Sequence, residues 1–145
     1  MASPETVETN SELETFALGE KVAGTLAPGT FVLLHGDLGA GKTAFVRGMA
    51  AGLGANPDDV SSPTFVLIQH YKGRTPLVHV DLYRLDSGAA VDDLGLEDLA
   101  SGAVVAIEWA ERLPRAVDGS VTVNIEDLGG DRRRIVIEKG KTKTE

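Results

Sequence analysis

Residues 36–43 constrain the fold of this chain more than any other part of its sequence. Their letters, GDLGAGKT, match the pattern G-x-x-x-x-G-K-[ST] at every fixed position. This is the phosphate-binding P-loop pattern. An apolar run of strand length, residues 30–35, precedes it, and apolar residues recur at every fourth position of residues 43–53. Strand, glycine-rich loop and helix follow in the order that a P-loop requires, so the sequence predicts an α/β fold.

The residue types of this segment suit the binding of a phosphate chain. Glycines let backbone N–H groups turn towards a phosphate, and the N-terminus of the following helix adds partial positive charge. Lys42 would reach the β- and γ-phosphates of a nucleotide, and the Thr43 hydroxyl would contact Mg²⁺. The alternative is a glycine-rich turn that only begins a helix.

The other elements follow from hydrophobic periodicity and turn residues. Ser11, with Glu14 three residues later, predicts the start of a helix through a capping box. Apolar or alternating runs predict strands at residues 66–71, 77–81, 103–108, 121–125 and 134–138, and residues 5–9 could form a short first strand. The predicted fold is a P-loop NTPase-like sandwich: a central mixed, mainly parallel sheet, flanked by helices, with a C-terminal antiparallel hairpin.

The composition predicts one domain, residues 1–145, with residues 1–4 and 141–145 disordered. With 42% apolar residues among 145, the chain has enough material for a single core. It has no Cys, which excludes disulfides and thiolate metal sites. No apolar run is long enough to cross a membrane and the N-terminus is polar, so a cytoplasmic location is expected.

The charge is unevenly distributed. The net charge is −8, which argues against a free-standing nucleic-acid binder, because polyanions are held by Lys and Arg surfaces. Residues 1–130 carry 8 Lys and Arg against 19 Asp and Glu, giving −11, whereas residues 131–145 carry 6 against 3, giving +3. Any contact with a polyanion is therefore expected at the C-terminal segment rather than elsewhere on the chain. For the lysines, the preferred interpretation is an edge strand and tail that their charge protects from aggregation.

Two carboxylates are candidates for the metal. Asp81 ends the apolar run 77–80, and Glu108 ends the apolar run 103–107. In an open α/β sheet the carboxyl ends of parallel strands lie on the ligand side. Mg²⁺ usually takes one or two protein carboxylates. From the residues alone, either one could serve, or each could simply end a strand.

Other polar residues in apolar surroundings allow two interpretations each. Residues 62–64 could be a switch loop that senses the γ-phosphate, or only the turn before a strand. His79, between Val78 and Val80, is more often structural than catalytic in such a position. Trp109 could be a core residue or a wall beside the nucleotide.

Four strings of the sequence resemble one known family. They are GDLGAGKT at 36–43, SPTF at 62–65, HVDLYRL at 79–85 and IEW at 107–109. Their order and spacing resemble the TsaE family, the bacterial ATPase component of tRNA threonylcarbamoyladenosine biosynthesis, over about residues 8–138. The P-loop pattern occurs in many unrelated proteins, whereas H-x-D-x-Y-R combined with E-W is distinctive.

The resemblance implies roles at individual positions. It implies that Thr43 and Glu108 hold Mg²⁺, and that Asp81 positions or activates the attacking water or supports the metal indirectly. Residues 62–65 resemble the first switch loop of the family. Ala44 replaces the usual second Thr of the family, with little effect expected. The implied catalytic residues are Lys42, Asp81 and Glu108.

The resemblance also implies the nucleotide contacts. Arg133 matches a family position near the nucleotide, and Glu12 matches the N-terminal segment that passes by the adenine. The nucleotide-binding residues are thus expected to be Glu12, Leu38, Gly39, Ala40, Gly41, Lys42, Thr43, Trp109 and Arg133.

The implied function is hydrolysis of ATP, with Mg²⁺, by an accessory subunit. Such proteins act while bound to a TsaD-type transferase and a TsaB-type scaffold protein, and they permit multiple turnovers on tRNA. The partners would hold most of the tRNA, which agrees with the acidic composition of this chain.

Three competing functions use the same P-loop pattern. A small-molecule kinase would need a lid, and no arginine-rich insertion is recognisable. A GTPase would need N-K-x-D, but residues 56–59 read NPDD, with Pro57 at the Lys position. The third is a nucleotide-sensing adaptor with incidental turnover.

Overall fold

The structure of the protein is a computed structural model that describes residues 4–36, 41–60, 68–82, 94–113, 117 and 119–140. The predicted nucleotide contacts Leu38, Gly39 and Ala40 lie outside the described residues, as do the predicted switch loop at 62–65 and the termini 1–3 and 141–145.

The described residues form three helices and seven strands. In chain order these are β1 (Glu5–Thr9), α1 (Glu12–Ala23), β2 (Phe31–Gly36), α2 (Lys42–Gly52), β3 (Ile68–Tyr71), β4 (Leu77–Asp81), α3 (Leu96–Leu99), β5 (Val104–Glu108), β6 (Val121–Gly129) and β7 (Arg132–Lys139). Two 3₁₀ turns, Pro57–Asp59 and Ala110–Arg112, lie in the connections.

The strands form one mixed sheet in the order β1-β7-β6-β2-β5-β4-β3. The four central strands, β6, β2, β5 and β4, run parallel to one another. The outer pairs, β1 with β7, β7 with β6, and β3 with β4, are antiparallel. This confirms the predicted α/β class with its terminal hairpin. The pairing of β1 with β7 joins the two ends of the chain and was not predicted.

The two faces of the sheet carry separate apolar clusters. Val32 and Leu34 of β2 point to the face that packs against α1 and α2, where Phe45 and Met49 are fully buried. Phe31 points to the other face, which is covered by residues around α3 and the second 3₁₀ turn. The alternation of β2 therefore places Val32 and Leu34 on the face of the sheet that α2 covers.

The predicted cap of α1 is present with one difference. Ser11 Oγ accepts a hydrogen bond from the Glu14 backbone N–H at 3.1 Å. In the predicted capping box, Glu14 would accept from the N–H of Ser11 itself. Instead, Glu14 Oε1 accepts from the backbone N–H of Asn10 at 2.9 Å. Both interactions fix the first turn of α1.

No helix in the described part of the chain is long and apolar enough to cross a membrane.

Candidate functional site

The site lies where the ends of β2, β4 and β5 meet the N-terminus of α2. Gly36 ends β2 with a φ of 147°, and a Cβ at this position would lie 2.5 Å from the carbonyl oxygen of Ile125 on β6. Only glycine therefore allows β2 and β6 to stay paired up to the point where the chain leaves the sheet. The pairing of β2 with β6 thus requires glycine at the first position of the motif, in addition to any role of that glycine towards a ligand.

Helix α2 begins at this edge, with Lys42 as its first residue. Gly41, its N-cap residue, has a φ of 99°, in the left-handed region that favours glycine. Within the described residues, no side chain caps this helix end. Uncapped N–H groups and the helix dipole together make such an end suited to an anion.

Lys42 lies within this edge rather than in solvent. It is 6% exposed. Its Nζ donates a hydrogen bond to the carbonyl oxygen of Gly36 at 3.2 Å and lies 3.9 Å from Oε1 of Glu108. The same Nζ lies 5.4 Å from the centroid of the Trp109 ring, a cation–π distance. Three groups thus hold the lysine at the end of the sheet.

Glu108 is a buried carboxylate at the end of β5, 8% exposed. Its Oε2 lies 2.6 Å from Nε2 of His79. Burial raises the pKa of Glu108. The hydrogen bond with His79 and the electrostatic effects of His79 and Lys42 lower it by more, so the pKa of Glu108 lies below its ordinary value. Glu108 is therefore ionised at neutral pH and can attract a cation.

Asp81 lies next to Glu108. The two residues are register partners at the ends of the parallel strands β4 and β5. Asp81 is half-buried and makes interactions of its own. The structure thus brings both predicted metal candidates to one edge of the sheet, as the sequence pattern indicated.

Trp109 packs against the core, and its expected role as a wall beside the nucleotide stays a prediction. Its ring packs against the apolar cluster on the second face of the sheet and also lies beside Lys42. Its φ is 60°, which makes it the one non-glycine residue with positive φ in the described part of the chain. Such strained backbone is often found at functional sites. The left-handed turn directs the chain away from the sheet immediately after Glu108.

Arg133 of β7 approaches the other side of the P-loop segment. Its Nε lies 3.5 Å from where a Cβ on Gly41 would be. Its Nη1 donates to Asp127 Oδ1 at 3.1 Å and to the carbonyl oxygens of Gly130 and Arg132, both at 2.8 Å. The β6–β7 hairpin thus brings Arg133 close to Gly41 of the motif, and its expected position near a nucleotide stays a prediction.

The remaining predicted site residues occupy different surroundings. Thr43 is half-buried in the first turn of α2, next to Lys42. Glu12 is exposed in the first turn of α1. Sequence reasoning missed the contact between His79 and Glu108. Strand alternation contained a signal for it, because residues 79 and 81 of one strand share a face.

The fold and the site together define an α/β protein of the P-loop NTPase-like class. The family model described as "Threonylcarbamoyl adenosine biosynthesis protein TsaE" matches residues 9–135. The chain belongs to the TsaE family.

Relatives and a solved structure agree with this assignment. The tRNA threonylcarbamoyladenosine biosynthesis protein TsaE of Treponema pallidum (strain Nichols) is 38% identical over 131 residues, covering 89% of this chain and 96% of that protein. The protein of the same name from Bacillus subtilis (strain 168) is 41% identical over 128 residues, covering 84% and 77%. The crystal structure of Bacillus subtilis YdiB matches with a TM-score of 0.71 and 32% identity, covering 94% of this chain and 86% of that one.

Proposed function

We propose that this protein binds and hydrolyses ATP, with Mg²⁺, as an accessory subunit in the threonylcarbamoyl modification of adenosine in tRNA. One observation carries the proposal: the lysine of the P-loop pattern, Lys42, is the first residue of α2 and lies 3.9 Å from the ionised carboxylate of Glu108. A lysine and a helix N-terminus suit a phosphate chain, and the carboxylate suits its metal ion. The names of the relatives support the pathway.

The residues at this edge fit a magnesium ion. Thr43 and Glu108 would hold it, because Mg²⁺ prefers oxygen ligands and usually takes only one or two from the protein, with water and phosphate oxygens completing its shell. No group of three or more His, Cys, Asp or Glu suited to a metal exists among the described residues. When bound, the ion would neutralise the charge on the phosphates.

The other residues have roles that follow from their positions. Lys42 would move from the Gly36 carbonyl to the phosphates, since it is the lysine of the P-loop pattern and the first residue of α2. Asp81, beside Glu108 in register, would position or activate the attacking water or support the metal. Gly41, Trp109 and Arg133 would line the nucleotide, together with Leu38, Gly39, Ala40 and, at the adenine, Glu12.

The proposed partners are a TsaD-type transferase and a TsaB-type scaffold protein in the cytoplasm. With a net charge of −8, the chain is poorly suited to hold tRNA alone. Hydrolysis would be slow in the isolated protein and faster, or coupled to work, in the complex.

The first experiment measures ATP binding and hydrolysis with and without Mg²⁺. We expect K42A to lose nucleotide binding or turnover, and E108A to lose its dependence on Mg²⁺. If D81A rather than E108A loses that dependence, the metal role belongs to Asp81. No binding of ATP by the wild-type protein with Mg²⁺ would refute the proposal.

The second experiment tests the partners. We expect the protein to co-purify with a TsaB-type and TsaD-type pair, and to support ATP-dependent modification of tRNA over several turnovers in the reconstituted mixture. Modification that requires nucleotide binding but proceeds at full rate with a non-hydrolysable analogue would instead indicate a nucleotide-sensing adaptor. Phosphorylation of a small-molecule acceptor by the isolated protein would indicate a kinase.

A further inference from the structure

His79 is a buried polar side chain beside the site. It lies in β4 directly opposite Ala106 of β5 and is 3% exposed. Strand alternation places it on the same face as Leu77, which belongs to the apolar cluster under α1 and α2. Because Ala106 carries only a methyl group, the imidazole has room to reach past it to Glu108, two residues further along β5.

The polar contact of His79 is with Glu108. Its Nε2 lies 2.6 Å from Oε2. An ionised carboxylate only accepts hydrogen bonds, so Nε2 carries the hydrogen and donates it. The other ring nitrogen, Nδ1, is buried without a hydrogen-bond partner among the described residues. Burying an unpaired polar atom costs free energy, so an apolar residue would serve packing better at this position.

The two oxygens of Glu108 have different neighbours. Oε2 is held by His79 at 2.6 Å, and Oε1 lies 3.9 Å from Nζ of Lys42. The terminal torsion of a glutamate is broad, so a carboxylate without such a bond can rotate. The hydrogen bond from His79 therefore fixes which oxygen faces the lysine of the P-loop pattern.

We propose that His79 is a positioning residue that holds Oε2 of Glu108 and thereby directs Oε1 towards the metal ion of a bound nucleotide. The inference rests on the proposed function, which assigns Mg²⁺ binding to Glu108. Removing a group that hydrogen-bonds to a metal ligand typically weakens metal binding by about 10–100-fold.

The test compares full-length H79L, which lacks the donor, with H79Q, which keeps an N–H group at similar reach. The affinity for Mg²⁺ is measured by titrating the ADP-bound protein, using Trp109 fluorescence and calorimetry, and the affinity for ADP is measured in EDTA. We expect H79L to need about 10–100-fold more Mg²⁺ for half-saturation, with ADP affinity in EDTA unchanged. H79Q should recover most of the loss, which a role in packing alone would not explain.

The matched control is V78A, which alters a buried residue of the same strand on the opposite face. It should lower the melting temperature without changing the Mg²⁺ requirement. If H79L fails to fold, H79N replaces it, because its shorter amide cannot reach Glu108. If a variant that lacks the donor needs no more Mg²⁺ than V78A does, the role of His79 is wrong while the proposed function stands. A wild-type protein that does not respond to Mg²⁺ would overturn the proposed function, and the inference with it.

Discussion

Glu108 is a carboxylate whose burial is offset by two neighbours, His79 and Lys42. Burial raises its pKa, and the hydrogen bond and the two positive charges lower it by more. The pKa in the folded protein is therefore below that in the unfolded chain. A shift in this direction stabilises the folded state at pH values above the ordinary glutamate pKa. The contribution is lost as the pH falls through the lower pKa of the folded protein.

We expect E108Q to be less stable than the wild-type protein at pH 7, by roughly 1.5–3 kcal/mol, because a charged hydrogen bond is lost and Lys42 remains buried. The difference should shrink as the pH is lowered through the acidic range, because the wild-type carboxylate is then protonated while the amide of the variant does not titrate. Urea unfolding of both proteins at a series of pH values measures this. A difference that stays constant down to the acid limit would contradict the lowered pKa of Glu108.

The backbone of Trp109 allows a second prediction at the scale of one residue. Its φ of 60° strains any side chain but not glycine. W109A and W109G both lose the ring, its packing and its contact with Lys42, so they differ mainly in this strain. We expect W109G to be more stable than W109A by about 1 kcal/mol in urea unfolding. If W109A is the more stable of the two, the left-handed conformation at this position is wrong.

At the scale of elements, the position of α2 depends on its close contact with α1. A Cβ at Gly48 would overlap the backbone carbonyl of Phe16, and a Cβ at Gly19 would overlap that of Phe45. The two helices therefore cross at a distance that only glycine permits at these points. Because Lys42 is the first residue of α2, this contact also fixes the position of the lysine.

We expect G48A to separate the helices and to cost about 2 kcal/mol or more of folding free energy. The affinity for nucleotide should fall as well, since α2 carries Lys42. The matched control is G24A: Gly24 ends α1 with a φ of −61°, and a Cβ there would lie 3.5 Å from the Glu20 carbonyl oxygen, an ordinary contact. Urea unfolding should show G24A to be neutral or slightly stabilised. A G48A protein as stable as G24A would contradict the close crossing.

Elements with strong local signals were predictable from the sequence. The predicted strand 77–81 coincides with β4, and the periodic apolar residues of α2 are buried. The expected strand 5–9 also coincides with β1, although Val7 is its single apolar residue. The pairing of β1 with β7 was not predictable, because it joins residues more than a hundred positions apart and neither strand carries a signal for its partner. The close contact of α1 with α2 was missed for the same reason. A glycine within a helical pattern does not reveal what approaches it.

The candidate site was likewise predictable in part from the sequence. The P-loop residues and the two strand-end carboxylates could be named from spacing, since parallel strands bring their carboxyl ends to one edge. The hydrogen bond between His79 and Glu108 depends on the diagonal relation of β4 and β5 and on the small side chain of Ala106. Strand alternation places His79 on the same face as Asp81, but it does not show which residue of the neighbouring strand His79 contacts.

At the scale of the whole molecule, the basic C-terminal segment is partly neutralised within the fold. Arg134 lies 2.9 Å from Glu126 and 3.6 Å from Glu8, and Arg133 lies 3.1 Å from Asp127. The acidic partners come from the neighbouring strands β6 and β1 in the first case and from β6 in the second. Fewer positive charges are therefore available to a polyanion than the net charge of +3 for residues 131–145 indicates.

We therefore expect the isolated protein to bind tRNA only with the affinity of nonspecific contacts, with a Kd of about 1–100 μM or weaker at physiological salt. Fluorescence anisotropy of labelled tRNA, titrated with the protein at several salt concentrations, measures this. A double variant, E8Q with E126Q, releases Arg134 and should bind tRNA more tightly, with a steeper dependence on salt, since one more cation can then displace counterions. Nanomolar binding by the wild-type protein would contradict the expectation and would place the main tRNA contact on this chain rather than on its partners.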